Sequence, residues 1–242
     1  MKKACFVLMA FLASSAAMAK DLYSSEEHPV AWLKGALATP LQYPNSTYEV
    51  DGVRLNFIYG TSFGVYGLDL GLVGMNNSFG AGVTLDVLTD WTDGDYDGLQ
   101  ISVFGNVVLG DTKGCQIAAA GCNYVGDEFR GAQLGLVNID GVFHGLQTGV
   151  VNYSKGECTG VQLGIVDVAV AEHRGWSVGV VNYAERFKGL QFGVLNVAGD
   201  YGNGLQLGVF NCAKSYSGVQ FGVLNIIDRG YLPVMPLLNV QF

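Results

Sequence analysis

Residues 189–196 read Gly-Leu-Gln-Phe-Gly-Val-Leu-Asn, residues 204–211 read Gly-Leu-Gln-Leu-Gly-Val-Phe-Asn, and residues 218–225 read Gly-Val-Gln-Phe-Gly-Val-Leu-Asn. Twelve such copies follow one another, anchored on Gly52, Gly67, Gly82, Gly98, Gly114, Gly131, Gly145, Gly160, Gly175, Gly189, Gly204 and Gly218. Most steps are 14 or 15 residues, stretching to 16 or 17 around Gly98 and Gly114. A fixed period marks an architecture that uses one small structural unit repeatedly. The first, third and fifth positions after the anchor are apolar (Leu190, Phe192 and Val194), with Thr148 the plain exception. The second position is Gln in eight copies, and the seventh is Asn in six and Asp at Asp167. This alternation is the two-residue period of a strand with one apolar face. An aromatic recurs two residues before the anchor, at Tyr96, Phe129, Phe143, Phe187 and Tyr216. Polar pieces such as Ser154-Lys155-Gly156-Glu157 separate the copies and read as turns.

Composition agrees with a β-rich chain. Of 242 residues 35 are glycine, and each interior glycine would cost a helix about 1 kcal/mol. An apolar share of 50% against 14% charged excludes a disordered polyampholyte. Lys2 and Lys3, the apolar stretch Cys5 to Leu12 and Ala17-Met18-Ala19 read as an export signal cut after Ala19. Residues 20–242 then form a single β-repeat domain. Loss of the signal removes two lysines and no acid, taking the formal charge from −8 to −10, which disfavours nucleic acid as a partner. Cys115, Cys122, Cys158 and Cys212 remain. Cys115 and Cys122 fall in one predicted strand, about 23 Å apart when extended, too far for a disulfide, and the spacing matches no zinc site.

Two architectures fit the repeat. In an antiparallel meander each copy supplies one strand and one turn. In a β-solenoid each copy is one coil of 14–15 residues, with Gln and Asn stacked in ladders. A two-sided coil is expected to need apolar residues on both sheets, and segments such as Ala213-Lys214-Ser215 supply almost none. The ending Val234 to Phe242 places Val234, Pro236, Leu238, Val240 and Phe242 on one strand face and is similar to the closing strand of bacterial outer-membrane barrels. With an opening strand near Val30 to Ala38, the twelve copies and the closing strand make fourteen, an even number as such barrels require. The expectation is therefore an all-β chain, an antiparallel meander closed as a barrel of about 14 strands, with the solenoid as the alternative. Leu and Val would face lipid, and Gln and Gly would line a lumen. The implied partners are outer-membrane lipid and the barrel-assembly machinery.

The ordered set of motifs also resembles a family. Tyr48 to Gly60 is similar to its opening segment V-x-G-L-R-L-N-x-x-Y-G, and Val65 to Val73 to its next element, V-Y-G-L-D-L-G-L-V-N. The GLQxGxxN repeats follow, and Leu232 to Asn239 is similar to its close, L-P-x-x-P-x-x-N. These are GLQLGLVN-type surface-repeat proteins of Gram-negative and spirochaete envelopes. The resemblance covers roughly Val30 to Phe242 and is weakest at the Gly82, Gly98 and Gly114 copies, which lack the Asn. It implies an outer-membrane or cell-surface address and carries over no catalytic residue.

Motifs for chemistry are sparse. Gly60-Thr61-Ser62-Phe63-Gly64 and Gly175-Trp176-Ser177-Val178-Gly179 match G-x-S-x-G, but no helix follows either, and the second is the repeat with Ser in place of Gln. A serine hydrolase using Ser62 or Ser177 is the least supported of the three functions considered. Asp93-Gly94-Asp95-Tyr96-Asp97-Gly98 supplies the first half of a calcium loop, yet its twelfth position is Phe104 rather than Glu. His28, His144 and His173 are isolated from other ligand types. The functional expectation is a non-enzymatic barrel, structural or a narrow pore, or alternatively a soluble surface solenoid acting as an interaction module. No catalytic, cofactor-binding or metal-binding residue is assigned.

Overall fold

The computed structural model describes residues 28–242. The expected export signal, residues 1–19, lies outside the described residues. The chain divides into two compact units, one ending at Asp127 and one beginning at Glu128. The first holds β1 (Val30–Ala38), β2 (Leu41–Tyr43), β3 (Glu49–Thr92), β4 (Tyr96–Ser102), β5 (Gly105–Val108), β6 (Thr112–Ala118) and the start of β7 (Cys122–Leu134). The second holds the rest of β7, then β8 (Val137–Thr148), β9 (Val151–Ser154), β10 (Cys158–Leu163), β11 (Val166–Val178), β12 (Val181–Phe192), β13 (Leu195–Leu207), β14 (Phe210–Ile227) and β15 (Val234–Gln241). Cys115 and Cys122 thus lie in different strands, β6 and β7, and all four described cysteines are free thiols.

The expected antiparallel barrel is not what forms. Each unit is a β-solenoid whose successive coils pair in parallel and in register. In the second unit Gly160 lies opposite both Gly145 and Gly175, and Gln162 lies opposite Gln147 and Ser177. The same match continues through β12, β13 and β14, where Gly189, Gly204 and Gly218 align, as do Asn182, Asn196 and Asn211. In the first unit Gly98 lies opposite Gly82 and Gly114. Parallel stacking sets like on like, and a primary amide is complementary to itself because it both donates and accepts. An antiparallel pair would set unlike positions of the repeat against each other.

Two glycine positions allow the coil. All twelve anchors have positive φ, from 119° at Gly82 to 154° at Gly52. Their stacking is tight as well: a Cβ on Gly204 would lie 2.1 Å from the Gly189 carbonyl oxygen. The glycine at the fourth position marks the bend between a coil's two strand segments, and a Cβ on Gly193 would lie 2.2 Å from the Gly179 carbonyl oxygen. Coils of 14 and 15 residues still stack in register. The extra residue is absorbed at the opposite corner, where the pairing shifts between Ala169 and Glu172 and between Ala198 and Tyr201.

The interior is polar, and this is why the apolar deficit of the second half-coil proved no obstacle. A typical inner slice of the second unit holds one aromatic, one Gln, one Asn and a small residue, with Cys158, Asp167 and Ser177 among the departures. Phe143, Phe187, Gln147, Gln206, Asn152, Asn196 and Ala184 are all buried. Asn182 Nδ2 donates to Asn196 Oδ1 at 2.8 Å and to the Phe192 carbonyl at 3.0 Å, so each rung also satisfies a carbonyl at the next bend. The Gln row runs with opposite polarity: Gln162 Nε2 donates back to Gln147 Oε1 at 2.8 Å, and Gln220 to Gln206 at 2.7 Å. Amides are tolerated inside because the ladder bonds return most of what they lost from water. Ala213, cited against a solenoid, fills an inner slot at 5% exposure.

Both ends depart from the repeat. β1 matches the expected opening strand and pairs in parallel with β3, while β2 folds back antiparallel on β1. At the other end β15 runs antiparallel to β14, with Val219 opposite Val240 and Phe221 opposite Leu238. The final segment therefore caps a stack rather than closing a barrel. Asn225 Nδ2, at the last rung, donates to the Met235 carbonyl of this cap at 3.2 Å. Phe242, at the end of this cap, is 90% exposed.

Candidate functional site

The first coils of the first unit carry charges where later coils carry amides. Arg54 and Asp69 occupy the second position after Gly52 and Gly67, the slot that holds Gln100 and Gln116 further on. Stacking of coils makes them neighbours. Arg54 is fully buried, its Nε donates to Asp69 Oδ1 at 2.8 Å, its Nη2 pairs with Asp69 Oδ2, and its Nη1 donates to the Met75 carbonyl at 2.8 Å. Asn56 Nδ2 adds a 2.9 Å bond to Asp69 Oδ1. Asp86 and Asp90 join the group, and one oxygen from each of Asp69, Asp86 and Asp90 lies within 4.8 Å of the others. Gln100 Nε2 donates to Asp90 Oδ2. Buried Lys34 donates its Nζ to the Asn45 carbonyl at 2.9 Å and to the Thr61 carbonyl.

The group holds two cations and three carboxylates, and burial favours the protonated form of two of the acids. Burial, followed by the charges of Asp69 and Asp90, raises Asp86 to about 8. Burial, followed by Asp69, raises Asp90 to about 7. Burial and then repulsion from Arg54 lower Lys34 to about 8. Three carboxylates at this spacing are the kind of set that holds a divalent cation, but Arg54 already occupies both oxygens of Asp69. The group is closed inside the coils, with Asp69, Asp86 and Asp90 each at most 2% exposed, so no substrate reaches it. Its chemistry is that of a buried ion pair with protonated neighbours.

A pH dependence follows from these shifts. Both acids bind protons more tightly folded than unfolded, so their contribution to stability is greatest below about pH 4. It falls as pH rises toward 7 for Asp90 and 8 for Asp86, on the order of 1.4 kcal/mol per pH unit for each. Amide exchange in the first unit should therefore accelerate between pH 5 and 8 beyond its intrinsic pH dependence. Asp86→Asn and Asp90→Asn, which are neutral throughout, should each flatten part of that trend. An unchanged slope in both variants would refute the assignment.

The residues singled out in the sequence fall elsewhere. Ser62 and Ser177 are buried within coils; Ser177 Oγ donates to Asn182 Oδ1 at 2.8 Å, and no strand-to-helix turn presents either serine. Asp93 Oδ1 accepts from Trp91 Nε1 at 2.6 Å, and Asp95 Oδ1 from the Asp111 backbone at 2.8 Å. Asp69, Asp86 and Asp90 are the group at metal-ligand spacing among the described residues, and Asp93, Asp95 and Asp97 are not. His173 stands in the inner aromatic row beside Phe187, and burial lowers it to about 4, keeping it neutral. His144 lies at the surface, 3.1 Å from Glu128.

Reading the sequence missed the Arg54–Asp69–Asp86–Asp90 group. Two opposite charges in the Gln slot of consecutive copies were the available signal. Asp86 and Asp90 had none, because they sit outside that slot and meet the pair only through stacking. No family model, curated protein or solved structure matches the chain.

The outer surface is the other candidate. The apolar positions of each copy point outward: Trp176 is 59% exposed, Phe192 54%, Val194 46% and Val180 45%. Charged side chains of the second unit gather on the ridge between the seventh position and the next anchor. There Glu172 accepts from Arg174 Nε at 2.6 Å and Lys188 Nζ at 3.0 Å, with Arg186 Nε at 3.4 Å.

Proposed function

We propose that this is an exported, non-enzymatic envelope-surface protein, and that its working part is the apolar exterior of its coils. The observation that carries this reading is the inversion of the coil: amides fill the inside, and Leu, Val, Ile and Phe cover the outside. A soluble monomer rarely exposes a contiguous apolar patch beyond a few hundred Å2, and larger ones mark interaction surfaces. A pore is disfavoured because the interior is occupied by side chains and leaves no lumen. The hydrolase is disfavoured because Ser62 and Ser177 are enclosed. The export signal read at residues 1–19 and the likeness to envelope surface-repeat proteins support the address.

Fractionation of cells expressing the full chain tests it. The expected result is a processed protein beginning at Lys20, recovered with the envelope and released by detergent. Recovery of the unprocessed chain in the cytosol would overturn the reading.

A further inference from the structure

The apolar exterior of the second unit is continuous and wraps a convex edge. Seven coils, anchored from Gly131 to Gly218, contribute the first, third, fifth, sixth and eighth positions after the anchor, and none of these positions holds a charged residue. The first and third positions form one wall, the sixth and eighth a second, and the fifth rides on the bend between them. That bend is the most exposed row, running from Leu136 at 47% to Val223 at 63% through Ile165 at 50%. At about 4.8 Å per coil the band is about 30 Å long, and with two walls each about 13 Å deep it covers about 800 Å2. Apart from Asp140 and Asp167, which are interior, the charged residues of the unit lie on the ridge opposite this edge.

We propose that this edge is seated in a lipid leaflet, with the coil axis in the membrane plane, the bend and both walls among acyl chains, and the charged ridge in water. The proposal rests on the surface reading above and names the occupant of that surface. Three features favour lipid over a second protein. The band turns a corner, so a flat partner covers one wall only, whereas a fluid conforms to both. Along the walls, coil-to-coil pairing in register satisfies the backbone from β8 to β14, which is the condition hydrocarbon imposes. Finally, the ridge runs the full length of the stack, so an upright stack would drag Arg174, Arg186 and Lys188 through the hydrocarbon; lying flat avoids this. Interfacial elements typically bury their apolar face to about 5–10 Å. Trp176 neighbours Leu190 on one wall, two residues beyond the Arg174–Lys188 pair of the ridge, which places an aromatic near the water boundary.

Flotation of the purified mature protein, residues 20–242, with neutral phosphatidylcholine vesicles tests the proposal. Wild type should float, and lipids brominated in the acyl chain should quench a fluorescence component that Trp176→Phe removes. Val180→Lys/Val194→Lys places two charges on the exposed bend without touching the interior. It should keep its circular dichroism and lose at least tenfold in vesicle partitioning, while Lys155→Ser on the ridge should float like wild type. Self-association in water that the double lysine variant abolishes, with no flotation, would overturn the lipid occupant and leave the surface reading standing. Flotation only with anionic vesicles, insensitive to the bend lysines, would also overturn it. Neither flotation nor self-association would overturn this proposal and the surface reading together.

Discussion

Gly204→Ala should destabilise the second unit by about 3–5 kcal/mol, combining a backbone conformation that L-residues avoid with a clash against fixed backbone. Gly204 has φ of 128°, and its added Cβ would lie 2.1 Å from the Gly189 carbonyl oxygen and 3.0 Å from the Gly189 nitrogen. The neighbour cannot yield, because Gly189 is itself held at 137° against Gly175, whose carbonyl oxygen lies 2.1 Å from the corresponding Cβ position. Strain at one anchor therefore passes along the stack instead of being absorbed by a side-chain rotation. The control is Gly35→Ala in β1, where nothing lies within 4 Å of the new methyl, and which should cost less than about 1 kcal/mol. Urea unfolding followed by far-ultraviolet circular dichroism reads both. Equal midpoints for the two variants would rule out the anchor ladder as a determinant of stability.

Asn196→Ala should be of similar size, about 3–5 kcal/mol, for a different reason. Asn196 accepts from Asn182 Nδ2 at 2.8 Å and donates to Asn211 Oδ1 at 2.8 Å and to the Leu207 carbonyl at 3.0 Å. Truncation leaves the acceptors on Asn211 and Leu207 buried without that donor, and such groups cost about 1–3 kcal/mol each. Asn196→Asp separates the lost hydrogen bonds from the lost volume. As a carboxylic acid it has one donor and one acceptor and can stand in a rung; as a carboxylate it cannot donate. The row already contains such a residue: Asp167 Oδ1 accepts from Asn152 at 2.7 Å, and burial raises its carboxyl to about 6. Hydrogen exchange of the rungs around residue 196 should thus show the Asp variant approaching wild type below pH 5 and falling toward the Ala variant by pH 8. An Asp variant that tracks Ala at every pH would show that the donor count does not govern the ladder.

The repeat frame was legible because stacking reuses one local geometry. All twelve anchors, each the first glycine of the repeated motif, carry positive φ, and the aromatic two residues earlier is buried at Tyr96, Phe129, Phe143, Phe187 and Tyr216. The barrel expectation failed on two particular inferences. Ala213-Lys214-Ser215 was judged too polar for a coil, which presumes that an interior is filled by aliphatic side chains. The ending Val234 to Phe242 alternates as a membrane strand does, and an antiparallel cap on β14 alternates in the same way. The charged group at Arg54, Asp69, Asp86 and Asp90 stayed hidden because sequence separation conceals contacts made one coil apart.

What the sequence alone determined is the unit: its period, the residues that share a face, the glycines that bend and anchor it, and the predominance of strand. What only the tertiary structure decided is how units join and which face is inside. Alternation with a period of two sorts side chains onto opposite faces and carries no sign. The sign is set when coils stack: parallel stacking brings Asn onto Asn and Gln onto Gln, their amides bond from one coil to the next, and the apolar positions are left to face outward.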